Sequence, residues 1–140
     1  TIQILDEPME WQQAIHKASE PLLHRAIIKK SYVQAMIDLL YDYGPYIVLA
    51  NGVAIAHANP EQGANALGLS LLINKQSITF EDDANVHFLF VLSNPDQDKH
   101  LHLLRDIMRL ANDTALVDQL LKMDDTLAVL EGLKKLSNMQ

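Results

Sequence analysis

The sequence contains no cysteine, which rules out disulfides, thiolate nucleophiles and cysteine-bound zinc. Basic residues are scarce: 11 Lys and Arg stand against 18 Asp and Glu, a formal net charge of −7. They gather into nothing longer than the pairs Lys29-Lys30 and Lys134-Lys135, whereas direct nucleic-acid binding asks for a basic patch. No apolar run approaches the ~20 residues that cross a bilayer. The N-terminus lacks the basic-then-apolar layout of a signal peptide, so the expected location is cytoplasmic. Internal repeats, linkers, low-complexity tracts and an H-E-x-x-H motif are all missing. The first residue is Thr1 and not Met, as in a processed start or a piece of a longer protein. What is present suits one compact domain over residues 1–140, with 49% hydrophobic and 21% charged residues. Folding a chain of that length buries roughly two-thirds of its extended surface, enough for a core without staples.

The chain is organised around residues 44–61. Gly44-Pro45 breaks what precedes, and two β-forming runs, Tyr46–Leu49 and Val53–Ala56, are parted by the turn signal Asn51-Gly52. The second run carries His57 to its end, just before another break at Asn59-Pro60. An imidazole at the mouth of a buried strand is held rigidly yet remains within reach.

Around this stretch, Ile2–Leu5 reads as a short strand, and Trp11, Ile15, Ala18 and Leu22 mark a helix from about Glu10 to Ile27. Pro21 inside it frees the carbonyl of Lys17 and predicts a kink. Ser31 to Gln34 is a capping-box pattern opening a second helix on Val33, Met36, Ile37 and Leu40, with Gly44 as its stop. Leu67, Leu69, Leu71 and Ile73 alternate as in a strand, Asn74-Lys75-Gln76 reads as a turn, and Ile78–Phe80 as a brief edge segment. Val86–Leu92 reads as a central strand covered on both faces. Three helices follow, on Leu101–Ala111, Leu116–Leu121 and Leu127–Leu133, the last preceded by the capping candidates Asp124 and Asp125. The expected fold is a single α/β domain with a mixed central sheet of about five strands flanked by helices.

Six histidines are available. His16 and His24 read as solvated helix positions, and His87 as a hydrogen-bonded histidine in an apolar strand. His57 ends a strand and His100 opens a helix after Asp96-Gln97-Asp98. His100 and His102 are two apart and point in different directions on a helix, so only one of them joins His57 easily. Neutral imidazole is a good nucleophile towards phosphorus, and its ordinary pKa of ~6.5 leaves most of it unprotonated near neutrality. Phosphoryl transfer asks a protein for in-line positioning and for donors to the equatorial oxygens. A second histidine or backbone N–H groups at a helix start supply such donors. From the residues alone, an ordinary strand-end histidine and a small metal site of His57, His100 and Asp98 stay open beside this reading.

Gly-Pro-Tyr-Ile-Val-Leu-Ala, then Gly-Val-Ala-Ile-Ala-His-Ala-Asn-Pro-Glu, resembles the phosphorylation-site signature of the mannitol/fructose-type IIA domains of the bacterial phosphoenolpyruvate–sugar phosphotransferase system (PTS). The likeness covers nearly the whole chain and is nearest to ascorbate-type IIA subunits and to IIA modules of PTS-controlled transcription regulators. It implies a phosphotransferase that takes its phosphoryl group from the carrier HPr onto His57, with His100 stabilising it, and passes it to a IIB domain. It implies no cofactor and no metal, a membrane link only through the IIC permease, and leaves homodimerisation open. It also implies a docking rim around His57, for which Tyr46, Ala56, Ala58, Pro60 and Leu101 are the candidates. Three positions depart from the family: Asn51 and Ala56 stand where proline is common, and Asn59 where arginine is. Losing that arginine removes a fixed charge and a planar fork suited to phosphate; Asn59 remains as a hydrogen-bonding support, and Arg105 or Arg109 are substitutes to consider. The alternative to a free subunit is a regulatory IIA module of a transcription regulator, in which phosphorylation of His57 is the signal.

Overall fold

Alternation along the strands decides the layers. The computed structural model describes residues 1–44, 47–80, 85–96 and 101–138. In β5 (Asn85–Ser93), Phe88, Phe90 and Leu92 face one side and Val86, Leu89 and Val91 the other, and all are buried. β5 lies between β4 (Gly68–Thr79) and β3 (Val53–Ala56) in a five-stranded sheet of order β1-β4-β5-β3. β1 (Ile2–Leu5) and the two-residue β2 (Met9–Glu10) run one after the other along the outer edge of β4, both parallel to it. β4 and β5 are antiparallel, and β3 and β5 parallel. The sheet is therefore mixed, as the sequence predicts.

Helices α1 (Trp11–His24) and α2 (Lys30–Tyr43) cover one face, where Ile15, Leu22 and Met36 join the core with Ala54, Leu72, Leu89 and Val91. Helices α3 (Leu101–Asn112), α4 (Thr114–Leu121) and α5 (Thr126–Asn138) cover the other, bringing Ile107, Leu110, Leu120 and Val129 to Val53, Ile73, Phe88 and Phe90. Fully burying one such side chain is worth about 1.5–3 kcal/mol. Leu71 and Ile73 share the α3–α5 side, and Leu69 packs against them. Leu67 lies before β4 and is exposed.

Local chemistry explains the element ends. α1 continues through Pro21, and the amide of Gln3 donates to the carbonyl of Lys17 at 2.8 Å, so the acceptor that proline frees is used by β1. The helix ends earlier than expected, at His24, because Ala26 adopts a left-handed φ of 57°. Ala26 N–H then bonds Leu23 O and Ile27 N–H bonds Leu22 O, a Schellman closure. α2 stops at Gly44, whose φ is 79° and whose N–H bonds Leu40 O. The capping box does not form: α2 begins at Lys30, Lys29 is its cap residue, and Ser31 instead donates to the carbonyl of Gln62 at 2.6 Å. Asp125 accepts from Leu127 N–H ahead of α5, and Asp113, unremarked in the sequence, caps α4 through Leu116 N–H.

Residues 74–76 are not a turn. β4 runs on through Thr79, with a register shift between Ile73, opposite Phe88, and Ile78, opposite Val86. Five steps along β4 thus answer two along β5, which is a bulge. Asn74 is fully buried there. Its side chain accepts from Glu7 N–H at 3.2 Å and donates to Glu7 O at 2.7 Å, joining the chain between β1 and β2 to the bulge. The Asn74 carbonyl accepts from His87 Nδ1 at 2.9 Å, so His87 is hydrogen-bonded as expected and half-buried. Lys75 extends the other way, to Leu121 O at 3.1 Å and Asp124 at 2.7 Å.

Candidate functional site

Asn51-Gly52 makes the predicted turn, with left-handed φ of 56° and 74° at its two residues. The first run forms only a short pairing with β3, through Val48 opposite Ala54 and bonds from Leu49 N–H to Val53 O and Ile55 N–H to Ile47 O. Pro45 and Tyr46 lie outside the described residues. The Asn51 amide donates to Ala111 O at 2.6 Å, which fixes the start of β3 against the last turn of α3.

β3 is buried along its whole length and ends at Ala56, opposite Val91. His57 is the next residue and is exposed, between buried Ala56 and Ala58. It stands at the carboxyl ends of two adjacent parallel strands, the place where open α/β sheets usually carry their sites. Asn51, before β3, meets the last turn of α3, while Leu103 in its first turn lines a hollow with Leu69 and Phe90, which lie opposite Leu92 and Ile55, so the helix starts towards the His57 end of the sheet. His100, the residue before α3, lies outside the described residues, and so does its expected pairing with His57. His16, His24 and His102 are exposed.

The chain after His57 is tightly organised. Ala58 N–H bonds the hydroxyl of Tyr32 at 3.0 Å, and that hydroxyl bonds Leu92 O at 2.7 Å. Asn59 is exposed, and its Oδ1 accepts from Glu61 N–H at 3.2 Å, capping the single 3-10 turn Pro60–Gln62. Gly63 closes the turn at a φ of 132°, and its carbonyl accepts from Lys29 N–H at 2.9 Å. Ser31 and Lys29 thereby tie this loop to the start of α2. Of the expected rim, Ala56 and Ala58 are buried and support His57 from beneath; Pro60 is half-buried. Tyr46 and the side chain of Leu101 lie outside the described residues. Arg105 and Arg109 are exposed on α3, where with Leu104, Met108 and Asn112 they line an open hollow.

Among the described residues no three His, Asp or Glu side chains are grouped to hold a metal ion; His100 and Asp98, which a metal site needs, lie outside them. No helix among the described residues is long and apolar enough to cross a membrane. The residue that sequence reading missed is Tyr32. Its ring occupies a core position, and only its neighbour Val33 shows in the apolar pattern; nothing in one sequence shows where its hydroxyl goes. Burial raises the Tyr32 pKa above the ordinary 10.0, partly offset by its hydrogen bond to the Ala58 backbone.

This exposed imidazole on a fixed backbone suits nucleophilic attack on a group brought by another molecule. Comparison with known proteins shows the family. The chain is 34% identical over 122 residues to the mannitol-specific cryptic phosphotransferase enzyme IIA component of Escherichia coli (strain K12), covering 86% of this chain and 83% of that protein. It is 31% identical over 123 residues to the ascorbate-specific PTS system EIIA component of Salmonella choleraesuis (strain SC-B67), covering 86% and 80%. The solution structure of the mannitol-specific cryptic enzyme IIA CmtB from Escherichia coli superposes with a TM-score of 0.83 at 30% identity, covering 94% of this chain and 91% of that one. The pattern described as phosphoenolpyruvate-dependent sugar phosphotransferase system, EIIA 2, matches residues 1–136, and the chain belongs to that family.

Proposed function

We propose that the domain is a phosphoryl carrier in which His57 accepts a phosphoryl group from phospho-HPr and passes it to a IIB domain. The observation that carries this reading is the position of His57, exposed at the carboxyl end of β3 in a chain of this family. A lone pair on the His57 ring attacks phosphorus in line as the phosphorus–nitrogen bond of the donor breaks. The bonding electrons return to the donor imidazole, so one phosphoramidate replaces another without a net proton change. In the onward step the IIB acceptor attacks phosphorus while the bond to the His57 nitrogen breaks, and its electrons return to the His57 ring. His100 is assigned the stabilising hydrogen bond to a phosphoryl oxygen, which the return of α3 towards this end of the sheet supports. Ascorbate or a related sugar is the proposed cargo of the relay, supported by the ascorbate-specific relative.

A second reading is a regulatory IIA module in which phosphorylation of His57 is the signal. Asn59 favours it: the family's arginine position carries no charge here, and its Oδ1 is engaged in the turn. The test is incubation with phosphoenolpyruvate, enzyme I and HPr, followed by mapping of acid-labile phosphate. Label is expected on His57 and is lost in His57→Ala. His100→Ala keeps an acceptor but loses one transition-state donor, worth ~3–4 kcal/mol in a dry site and less in a wet one. Asn59→Arg is expected to speed labelling. Wild-type labelling of His57→Ala would show the acceptor to be wrong, and an unlabelled protein, even with Asn59→Arg, would end the carrier reading.

A further inference from the structure

We propose that Tyr32 is a positioning residue for phosphoryl acceptance, holding His57 in its working direction through the backbone of Ala58. This rests on the reading of His57 as acceptor. Tyr32 is 1% exposed, in the core between α2 and the sheet, where a phenylalanine would pack equally well. A hydroxyl buried in such a place is unfavourable unless both its donor and its acceptor functions are used. Both are, and by backbone groups of the strands that frame the site. Its proton goes to Leu92 O at 2.7 Å, nearer than Ala58 O at 3.4 Å, and it accepts from Ala58 N–H at 3.0 Å.

The register explains why those two groups need a mediator. The β3–β5 ladder ends with Ala56 opposite Val91. Extending it by two residues sets Ala58 opposite Ser93, with its N–H turned towards Leu92 O as the next parallel bond. In the structure the Tyr32 hydroxyl bonds both of these groups. It therefore serves as a spacer where β3 parts from β5, and His57 is the residue at the parting. With Ala56 and Ala58 both buried, this short backbone segment sets the direction in which the His57 side chain leaves the chain. Misplacing a reacting atom by about 1 Å can cost on the order of a hundredfold in rate.

The experiment compares wild type with Tyr32→Phe, using phospho-HPr as donor at temperatures well below both melting points. The expected result is a fall in kcat for His57 labelling of about 10- to 100-fold, with KM for phospho-HPr changed less than about threefold. Asn74→Ala, which weakens the distant sheet edge, serves as the stability-matched control and is expected to keep the wild-type kcat. Equal kcat in Tyr32→Phe and wild type overturns the proposal while leaving His57 as acceptor; wild type that takes no label on His57 overturns both. A readout that needs no variant is hydrogen exchange in the wild-type protein. The Ala58 amide is expected to be protected although it lies past the last ladder pair, and exchange at the unprotected rate would overturn the proposal.

Discussion

Replacing Asn74 by alanine tests whether one buried amide holds the outer sheet edge. The side chain is fully buried and makes two hydrogen bonds to the Glu7 backbone, at 3.2 and 2.7 Å. Each bond contributes about 1 kcal/mol net, and each backbone group left without a partner costs about 1–3 kcal/mol when water cannot reach it. Glu7 is itself exposed, so its groups are partly rehydrated and the lower end applies. The expected loss is therefore about 2–4 kcal/mol, a large part of a total stability of about 5–15 kcal/mol. With a mid-range urea slope of about 2 kcal/mol per M, the unfolding midpoint should fall by about 1–2 M with the slope unchanged. Hydrogen exchange should localise the change, with the amides of β1 and β2 opening first and those of β3 keeping their protection. Asn74→Asp is a sharper companion: it keeps the acceptor, loses the donor and sets a carboxylate against the Glu7 carbonyl. It should be at least as damaging at neutral pH and recover on acidification. A midpoint within about 0.3 M of wild type for the alanine variant would refute the reasoning, given that slope.

Ala26→Gly should raise stability by about 0.5–1 kcal/mol, because a φ of 57° strains alanine but not glycine; an unchanged or lower urea midpoint would contradict this. Gly63→Ala should lower it by about 1–3 kcal/mol, since φ is 132° and a Cβ would meet Lys29 Cβ and Ser31 Oγ at 2.9 Å; its His57 labelling rate should fall as well. In alkali, stability should decline more steeply in wild type than in Tyr32→Phe. The native pKa of Tyr32 is raised by burial, so the native state holds this proton more tightly than the unfolded state does. That contribution is complete below the ordinary value of 10.0 and is lost as pH rises from there through the raised native value, which urea midpoints across that range measure.

The sheet and its helices were legible because their signals are periodic. Phe88, Leu89, Phe90, Val91 and Leu92 announce a strand covered on both faces, and Gly44 and Asn51-Gly52 mark conformations that few other residues adopt. Legibility failed where one composition serves two geometries. Asn74-Lys75-Gln76 suits a turn as well as a bulge, and only the ladder on both sides shows that β4 continues. Ser31 looked like a cap because a hydroxyl three residues before a glutamine can close on the helix; here the Gln62 carbonyl captures it from a distant loop. In the candidate site, His57 was visible as the end of a run, whereas the supports that fix its backbone, Tyr32 and the Ala111 carbonyl met by Asn51, come from elements remote in sequence.

The broken outer edge of the sheet has a consequence for how copies of this domain meet. β1 offers four residues and β2 two, separated by the segment through Asp6, Glu7 and Pro8. On the opposite edge, the outward side of four-residue β3 is already bonded by Ile47 and Leu49. A strand from a second molecule would therefore find no long, flat row of open N–H and C=O groups at either margin of the described sheet, the feature through which sheets polymerise. Copies of this domain should therefore not seed fibres by adding strand to strand at these margins.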